Sequence, residues 1–136
     1  MIRLAIVEDN LVYLQALKLY LAKAPDIQLV HSATNLQEIP VLTATRPDVV
    51  IMDIHPGGDS GIKGIRLIKK ALPQTAILML ALFYDEEKIA QSIKAGASGY
   101  LLKKDSPKKI VEAIRHLFKS KGTIGGVPKK ICDTDV

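Results

Sequence analysis

The chain has no tryptophan, a single cysteine, and only six aromatic residues: two Phe and four Tyr. One cysteine excludes an internal disulfide, so a disulfide-stapled secreted scaffold is ruled out and a reducing compartment suits the chain. Cys132 lies in a polar tail, a poor setting for a reactive thiol. No apolar run approaches the roughly 20 residues of a membrane span. The N-terminus, MIRLAIVEDN, lacks the long apolar stretch and small-residue cleavage site of a secretory signal. The expectation is a cytoplasmic protein with no membrane partner.

What is present suits one globular domain. The chain has 136 residues, 48% hydrophobic and 24% charged, with a formal net charge of +5. That balance supports a packed core. The excess of lysine raises a nucleic-acid reading. Yet the basic residues cluster in helix-like pairs (Lys69-Lys70, Lys103-Lys104, Lys108-Lys109), with no aromatics interleaved to stack bases. They read as solvated helix surface.

Leu4–Val7, Val49–Met52, Ile77–Leu82 and Tyr100–Leu102 are apolar runs of strand length, with Ile27–Val30 a weaker fifth. The first three are near-continuous rather than alternating, the pattern of strands covered on both faces of a parallel sheet. Between them, Leu11, Leu14, Leu17 and Leu21 form a stripe at helical spacing, interrupted by Lys18. Ile62, Ile65, Ile68 and Leu72 form another; Ile89, Ile93 and Ala97 a third, after the acids Asp85-Glu86-Glu87 that favour a helix start. Ile110, Ile114, Leu117 and Phe118 form the last, with Ser106 as N-cap and Pro107 at the first helical position. Residues 35–45 read as a weaker helix, interrupted by Pro40 and ended before Pro47. The alternation predicts an α/β fold with a doubly wound, five-stranded parallel sheet. Helical periodicity fails from Lys119 onward, so residues 1–119 read as the domain and 120–136 as a linker or tail.

In an open parallel sheet, ligands bind beyond the carboxyl ends of the strands. The residues that follow the strands are Glu8-Asp9, Asp53, Ala81-Leu82-Phe83 and Lys103. Three carboxylates on one edge repel one another unless something positive neutralises them. A hard divalent cation such as Mg²⁺ suits an all-oxygen cluster. Lys103 adds a point charge suited to a phosphoryl oxygen. Asp53 is thus read as a nucleophile or a ligand. Singly, each residue also has a plain reading: Asp53 as a solvated strand end, Glu8-Asp9 as a helix cap, Lys103 as a surface lysine. Their conjunction at consistent strand ends favours the chemical reading.

The stretches IVEDN (6–10), VVIMDI (49–54), Gly61 and AGASGYLLKKDSP (95–107) resemble, in order and spacing, the receiver domain of two-component response regulators. The resemblance implies a flavodoxin-like sheet of order 2-1-3-4-5. It implies that Asp53 is the phosphoacceptor, served by a sensor histidine kinase. Glu8 and Asp9, with Asp53 and the backbone carbonyl of His55, would hold Mg²⁺. Lys103 would contact the phosphoryl group, and Tyr100 would be the aromatic switch residue. Such a chain is a phosphoacceptor rather than an enzyme, though it contributes to its own phosphoryl transfer and dephosphorylation. The segment 95–107 is similar to receivers that carry a helix-turn-helix output domain, so DNA binding is expected only through a domain absent from this chain; the chain reads as either an isolated receiver or, favoured by its glycine- and lysine-rich tail, a receiver cut off at the linker. A homodimer is left open.

Two departures stand out. The family's Ser or Thr on the fourth strand is Ala81 here, followed by the bulky Leu82. The family's loop proline sits four residues past the aspartate, whereas here Pro56 is at three and Gly57 at four. Ala81 and Leu82 favour one competing reading, an interaction module that no longer uses phosphate, while the intact Glu8, Asp9, Asp53 and Lys103 argue against it. Other readings are weaker. Asp53-Ile54-His55-Pro56-Gly57-Gly58 satisfies the D-x-H-x-x-G pattern of cobalamin-binding domains, but after the third strand instead of the first. A flavodoxin-type flavin site would need a hydroxyl- and glycine-rich loop where Glu8-Asp9-Asn10-Leu11 stands. A dehalogenase-type phosphatase would need a second Asp where His55 stands. His55 otherwise reads as a loop residue tuning water access, and His31 and His116 as a strand-end and a helix-face residue.

Overall fold

The structure is a computed structural model that describes residues 1–54, 60–120 and 129–130. The strands are β1 (Ile2–Val7), β2 (Ile27–Ala33), β3 (Val49–Ile54), β4 (Ala76–Ala81), β5 (Gly99–Leu102) and β6 (Lys129–Lys130). The helices are α1 (Leu11–Leu21), α2 (Ile39–Ala44), α3 (Ser60–Ala71), α4 (Glu86–Ala95) and α5 (Pro107–Lys119), with a 3-10 turn at Leu36–Glu38 before α2. All strand pairs are parallel, in the order β2-β1-β3-β4-β5-β6. The five expected strands thus take the expected order. The two-residue β6 is an addition within the tail, pairing Gly99 with Lys129 and Tyr100 with Lys130.

Alternation along the strands builds two cores. Leu4, Ile6, Val49, Ile51, Leu78 and Leu80 face α1 and α5. Ala5, Val7, Val50, Met52, Ile77 and Met79 face α2, α3 and α4. Each fully buried aliphatic side chain contributes about 1.5–3 kcal/mol, and both the central strands and the helices that cover them supply such side chains. Leu14, Leu17 and Leu21 of α1 are buried as expected, but Leu11 stands in solvent at the helix start. β4 ends at Ala81, one residue short of the expected run, because Leu82 turns out into solvent.

The helix starts follow their caps. The Ser106 side chain accepts from the Lys109 N–H with Pro107 in the first turn, and the Asp85 side chain accepts from the Lys88 N–H. The Asn10 side chain does the same for Tyr13. Each such cap is worth about 1 kcal/mol. α4 ends at Gly96, whose φ of 123° favours glycine. No helix of the described residues is long and apolar enough to cross a membrane.

Candidate phosphoacceptor site

The carboxyl ends of β1, β3 and β5 bring four charged side chains to one edge. Asp53, the fifth residue of β3, is only 5% exposed, and Glu8, directly after β1, is 1% exposed. Asp9 is exposed beside them. One carboxylate oxygen from each of Glu8, Asp9 and Asp53 lies within 4.8 Å of the others. Lys103 enters from the far end of β5. Its Nζ is 2.9 Å from Glu8 Oε1 and 2.9 Å from Asp53 Oδ1, and it donates to Glu8 Oε2 at 3.1 Å.

The surrounding backbone fixes these groups. The Glu8 N–H donates to the Ala33 carbonyl at 2.9 Å, anchoring the end of β1 to β2. The Asn10 N–H donates to Glu8 Oε2 at 2.9 Å, so the first residue of the cap also orients the carboxylate. The Lys103 N–H donates to the Ala81 carbonyl at 2.8 Å. The turn after Lys103 is closed by the Leu102 N–H donating to Asp105 Oδ2 at 2.8 Å.

The electrostatics follow from burial. Burial pushes the Glu8 carboxyl above its ordinary value, and the hydrogen bonds from Lys103 and Asn10 only partly offset this. Burial works against the charge of the Lys103 ammonium, but its hydrogen bonds to Glu8 and Asp53 outweigh that and raise its pKa. Three carboxylates facing a single ammonium form a donor set of hard oxygens with surplus negative charge, which fits a divalent cation such as Mg²⁺. An open cleft of about 210 Å³ is lined by Asp53, Asp9 and Gly61 together with Thr34, Asn35 and Leu36.

Glu8, Asp9, Asp53 and Lys103 are therefore brought together as the sequence predicts. Ala81 is buried at the end of β4, in register with Ile54 on β3 and Leu102 on β5. Leu82, Phe83 and Tyr84 follow it, 47%, 65% and 61% exposed. Tyr100 is half-buried away from the carboxylates, its ring 6.5 Å from that of Tyr84 at a tilt of 49°. His55, with the carbonyl assigned to the metal, and the Pro56-Gly57 departure lie outside the described residues, as does Cys132. His31 sits within β2, 3.4 Å from Glu38, and His116 is exposed on α5.

Two residues of the site were not read from the sequence. Lys103 Nζ lies 4.8 Å above the ring centroid of Tyr13, which is half-buried against the α1–α5 core. Burial pushes the Tyr13 phenol above its ordinary pKa, so it stays neutral. Tyr84 is the second, as the neighbour of Tyr100. The Asn10 cap places Tyr13 on the first helical turn, but nothing local in the sequence pairs it with Lys103.

Residues 4–115 match the response regulator receiver domain family. The chain is 36% identical over 115 residues to the transcriptional regulatory protein LnrK of Bacillus subtilis (strain 168), covering 84% of this chain and 52% of that protein. It is 33% identical over 116 residues to LiaR of the same strain, covering 85% of this chain and 55% of that one. It thus spans about half the length of these curated relatives. Among solved structures, a LuxR-family two-component response regulator from Aurantimonas sp. SI85-9A1 superposes with a TM-score of 0.81 at 25% identity, covering 89% of this chain and 87% of that one. The response regulator domain of Thermotoga maritima CheB shares the fold, with a TM-score of 0.78 at 24% identity over 88% of this chain and 97% of that one. With the family pattern matched over residues 4–115 and the fold shared with solved members, the chain belongs to the response regulator receiver domain family.

Proposed function

We propose that this chain is a phosphorylation switch in which Asp53 accepts a phosphoryl group from the phosphohistidine of a sensor histidine kinase. The observation that carries the reading is the buried Asp53 carboxylate held 2.9 Å from Lys103 Nζ, with Glu8 and Asp9 converging beside it. In the transfer, an Asp53 carboxylate oxygen attacks phosphorus and the P–N bond to the imidazole breaks. The bonding pair leaves on the histidine nitrogen, and an acyl phosphate remains on Asp53. Such transfers ask mainly for an in-line nucleophile and neutralised charge.

Lys103 supplies the fixed positive charge. Glu8, Asp9 and Asp53 are the described side chains that would hold Mg²⁺, whose chemistry there is to neutralise phosphoryl oxygens. The chain's own groups also assist loss of the phosphoryl group to water. It is a phosphoacceptor rather than an enzyme with a separate substrate. Residues 1–119 form the switch and 120–136 a linker or tail, with transcriptional output residing in a DNA-binding portion outside this chain; the relatives LnrK and LiaR, both named transcriptional regulatory proteins, support that extension. The signalling surface comprises α4, β5 and α5, with Tyr100 responding.

One observation favours a second reading. Ala81 offers no hydroxyl to a phosphoryl oxygen, as expected of an interaction module independent of phosphate. Intact mass after incubation with Mg²⁺ and acetyl phosphate separates the two. A gain of one phosphoryl group in the parent and none in Asp53→Asn supports the switch. No gain in either protein overturns it and leaves the interaction module.

A further inference from the structure

We propose that Tyr13 is a positioning residue for Lys103, its ring face holding the ammonium at the mouth of the site so that the N–H donors are presented to an incoming phosphoryl group. This inference rests on the phosphoacceptor reading of Asp53. The lysine has a flexible four-carbon stem, and only its backbone is fixed by the sheet, through the bond to the Ala81 carbonyl. Its ammonium is placed by three contacts: Glu8, Asp53 and the Tyr13 ring, whose centroid is 4.8 Å away. A cation within about 6 Å of a ring face is attracted by the ring's quadrupole.

The three contacts differ in kind. The two carboxylates take up N–H donors in charge-assisted hydrogen bonds, and both are groups on which a phosphoryl group or a cation makes its own claim. The ring attracts the charge without a strong acceptor, so the donors remain available. Asn10 joins these parts: its N–H holds Glu8, and its side-chain oxygen caps the Tyr13 N–H at 3.1 Å. The ring is therefore fixed relative to the carboxylates by the start of α1 itself. With Ala81 lacking a hydroxyl, the task of meeting phosphoryl oxygens falls more heavily on Lys103, and its placement matters accordingly.

The test compares the full chain with Tyr13→Phe and Tyr13→Leu, measuring phosphoryl uptake by mass against acetyl phosphate concentration in Mg²⁺. Tyr13→Leu keeps apolar bulk and the helix but removes the ring face. Without the ring the ammonium is in place in only a fraction of the free molecules, which raises the half-saturating donor concentration in proportion and leaves the maximal rate unchanged. The expected rise is about two- to fivefold, the size of one partly exposed cation–π contact. Tyr13→Phe, which keeps the face, restores the parent value. In the metal-free protein, NMR of the Lys103 side-chain methylenes gives an independent readout: ring-current shifts present in the parent and Tyr13→Phe, absent in Tyr13→Leu. Equal half-saturation in all three proteins overturns the inference while the Asp53 reading stands. Ring-current shifts that persist in Tyr13→Leu also overturn it. A parent that takes up no phosphoryl group overturns the Asp53 reading and this one with it.

Discussion

Replacing Ala81 with Thr should strengthen the link between phosphoryl group and switch. Ala81 is 6% exposed at the last position of β4, and its carbonyl is held by the Lys103 N–H at 2.8 Å. The backbone is thus tied in place, and the substitution adds a hydroxyl and a methyl at the edge that carries Asp53. A hydrogen bond from the hydroxyl to a charged phosphoryl oxygen is worth about 1.5–3 kcal/mol. At 1.4 kcal/mol per tenfold, that biases the two switch states by roughly 10- to 150-fold. The opposing cost is overpacking, about 1–3 kcal/mol for added atoms in a filled site, lessened by the fit of a β-branched residue to a strand. The two effects separate experimentally. Urea unfolding of the unphosphorylated variant reads the packing cost. The phosphorylation-dependent shift of the Tyr100 ring signals, compared at matched phosphoryl stoichiometry, reads the bias. An unchanged Tyr100 response in Ala81→Thr would refute the reasoning, whatever happens to stability.

The remaining predictions concern charge and backbone. Lys103→Met removes the ammonium that competes for Glu8 and Asp53, so Mg²⁺ affinity by calorimetry should tighten on the order of tenfold, well inside the ~4 kcal/mol that a unit charge 4 Å away exerts at an intermediate dielectric. Weaker Mg²⁺ binding would show that Lys103 does not oppose the metal. Gly96→Ala should destabilise by ~2 kcal/mol: the residue has φ 123°, and an added Cβ would stand 2.7 Å from Lys69 Cγ. Lys69 cannot readily withdraw, because its Nζ donates to the Pro73 and Thr75 carbonyls at 2.7 and 2.8 Å; an unchanged melting temperature would contradict this. Arg115 donates twice to Asp26, at 2.8 and 2.9 Å, and holds the Asp26 carboxyl below its ordinary value. A depressed folded pKa contributes stability above the unfolded value of about 3.8 that is lost as pH falls through the folded value. Melts between pH 6 and 3 should therefore fall less steeply for Asp26→Asn than for the parent, by a small margin because the pair is exposed.

The central strands were legible because β1, β3 and β4 are covered on both faces and read as unbroken apolar runs. β2 was faint for a physical reason. It is an edge strand in which Leu29, Val30 and His31 are only half-buried, with a register shift opposite Leu4 and Ala5. The stripe of α1 misled at Leu11, since periodicity marks a face but not where that face runs off the sheet. The acids and Lys103 were legible because strand ends are the positions an open sheet presents. Tyr13 was not, because its contact to Lys103 spans 90 residues of chain and depends on the length and direction of a lysine side chain. β6 escaped because two lysines carry no strand pattern; their pairing is a matter of backbone alone.

On the proposed reading, a signal would have to pass from Asp53 to Tyr100. Lys103 and Tyr100 belong to the same short segment, yet the ammonium reaches over the carboxylates while the Tyr100 ring packs toward the α2–α4 core. A switch needs contacts that differ between its states. Phosphorylation would supply one such difference, since the carboxylate oxygen that Lys103 meets becomes part of an acyl phosphate with additional negative charge. A hydroxyl at position 81 would draw the end of β4 toward that charge; Ala81 cannot. What remains between the ends of β4 and β5 is backbone: the bond from Lys103 to the Ala81 carbonyl and the strand pairing that runs from Leu78 with Gly99 through Met79 with Tyr100 to Ala81 with Leu102. A shift of Lys103 can move β5 through these bonds, but without a side chain pulling from β4 the ring of Tyr100, resting beside Tyr84, experiences less bias. On the proposed reading, Glu8, Asp9, Asp53 and Lys103 serve acceptance of the phosphoryl group and position 81 serves its coupling to Tyr100, so Ala81→Thr should change the coupling more than the acceptance.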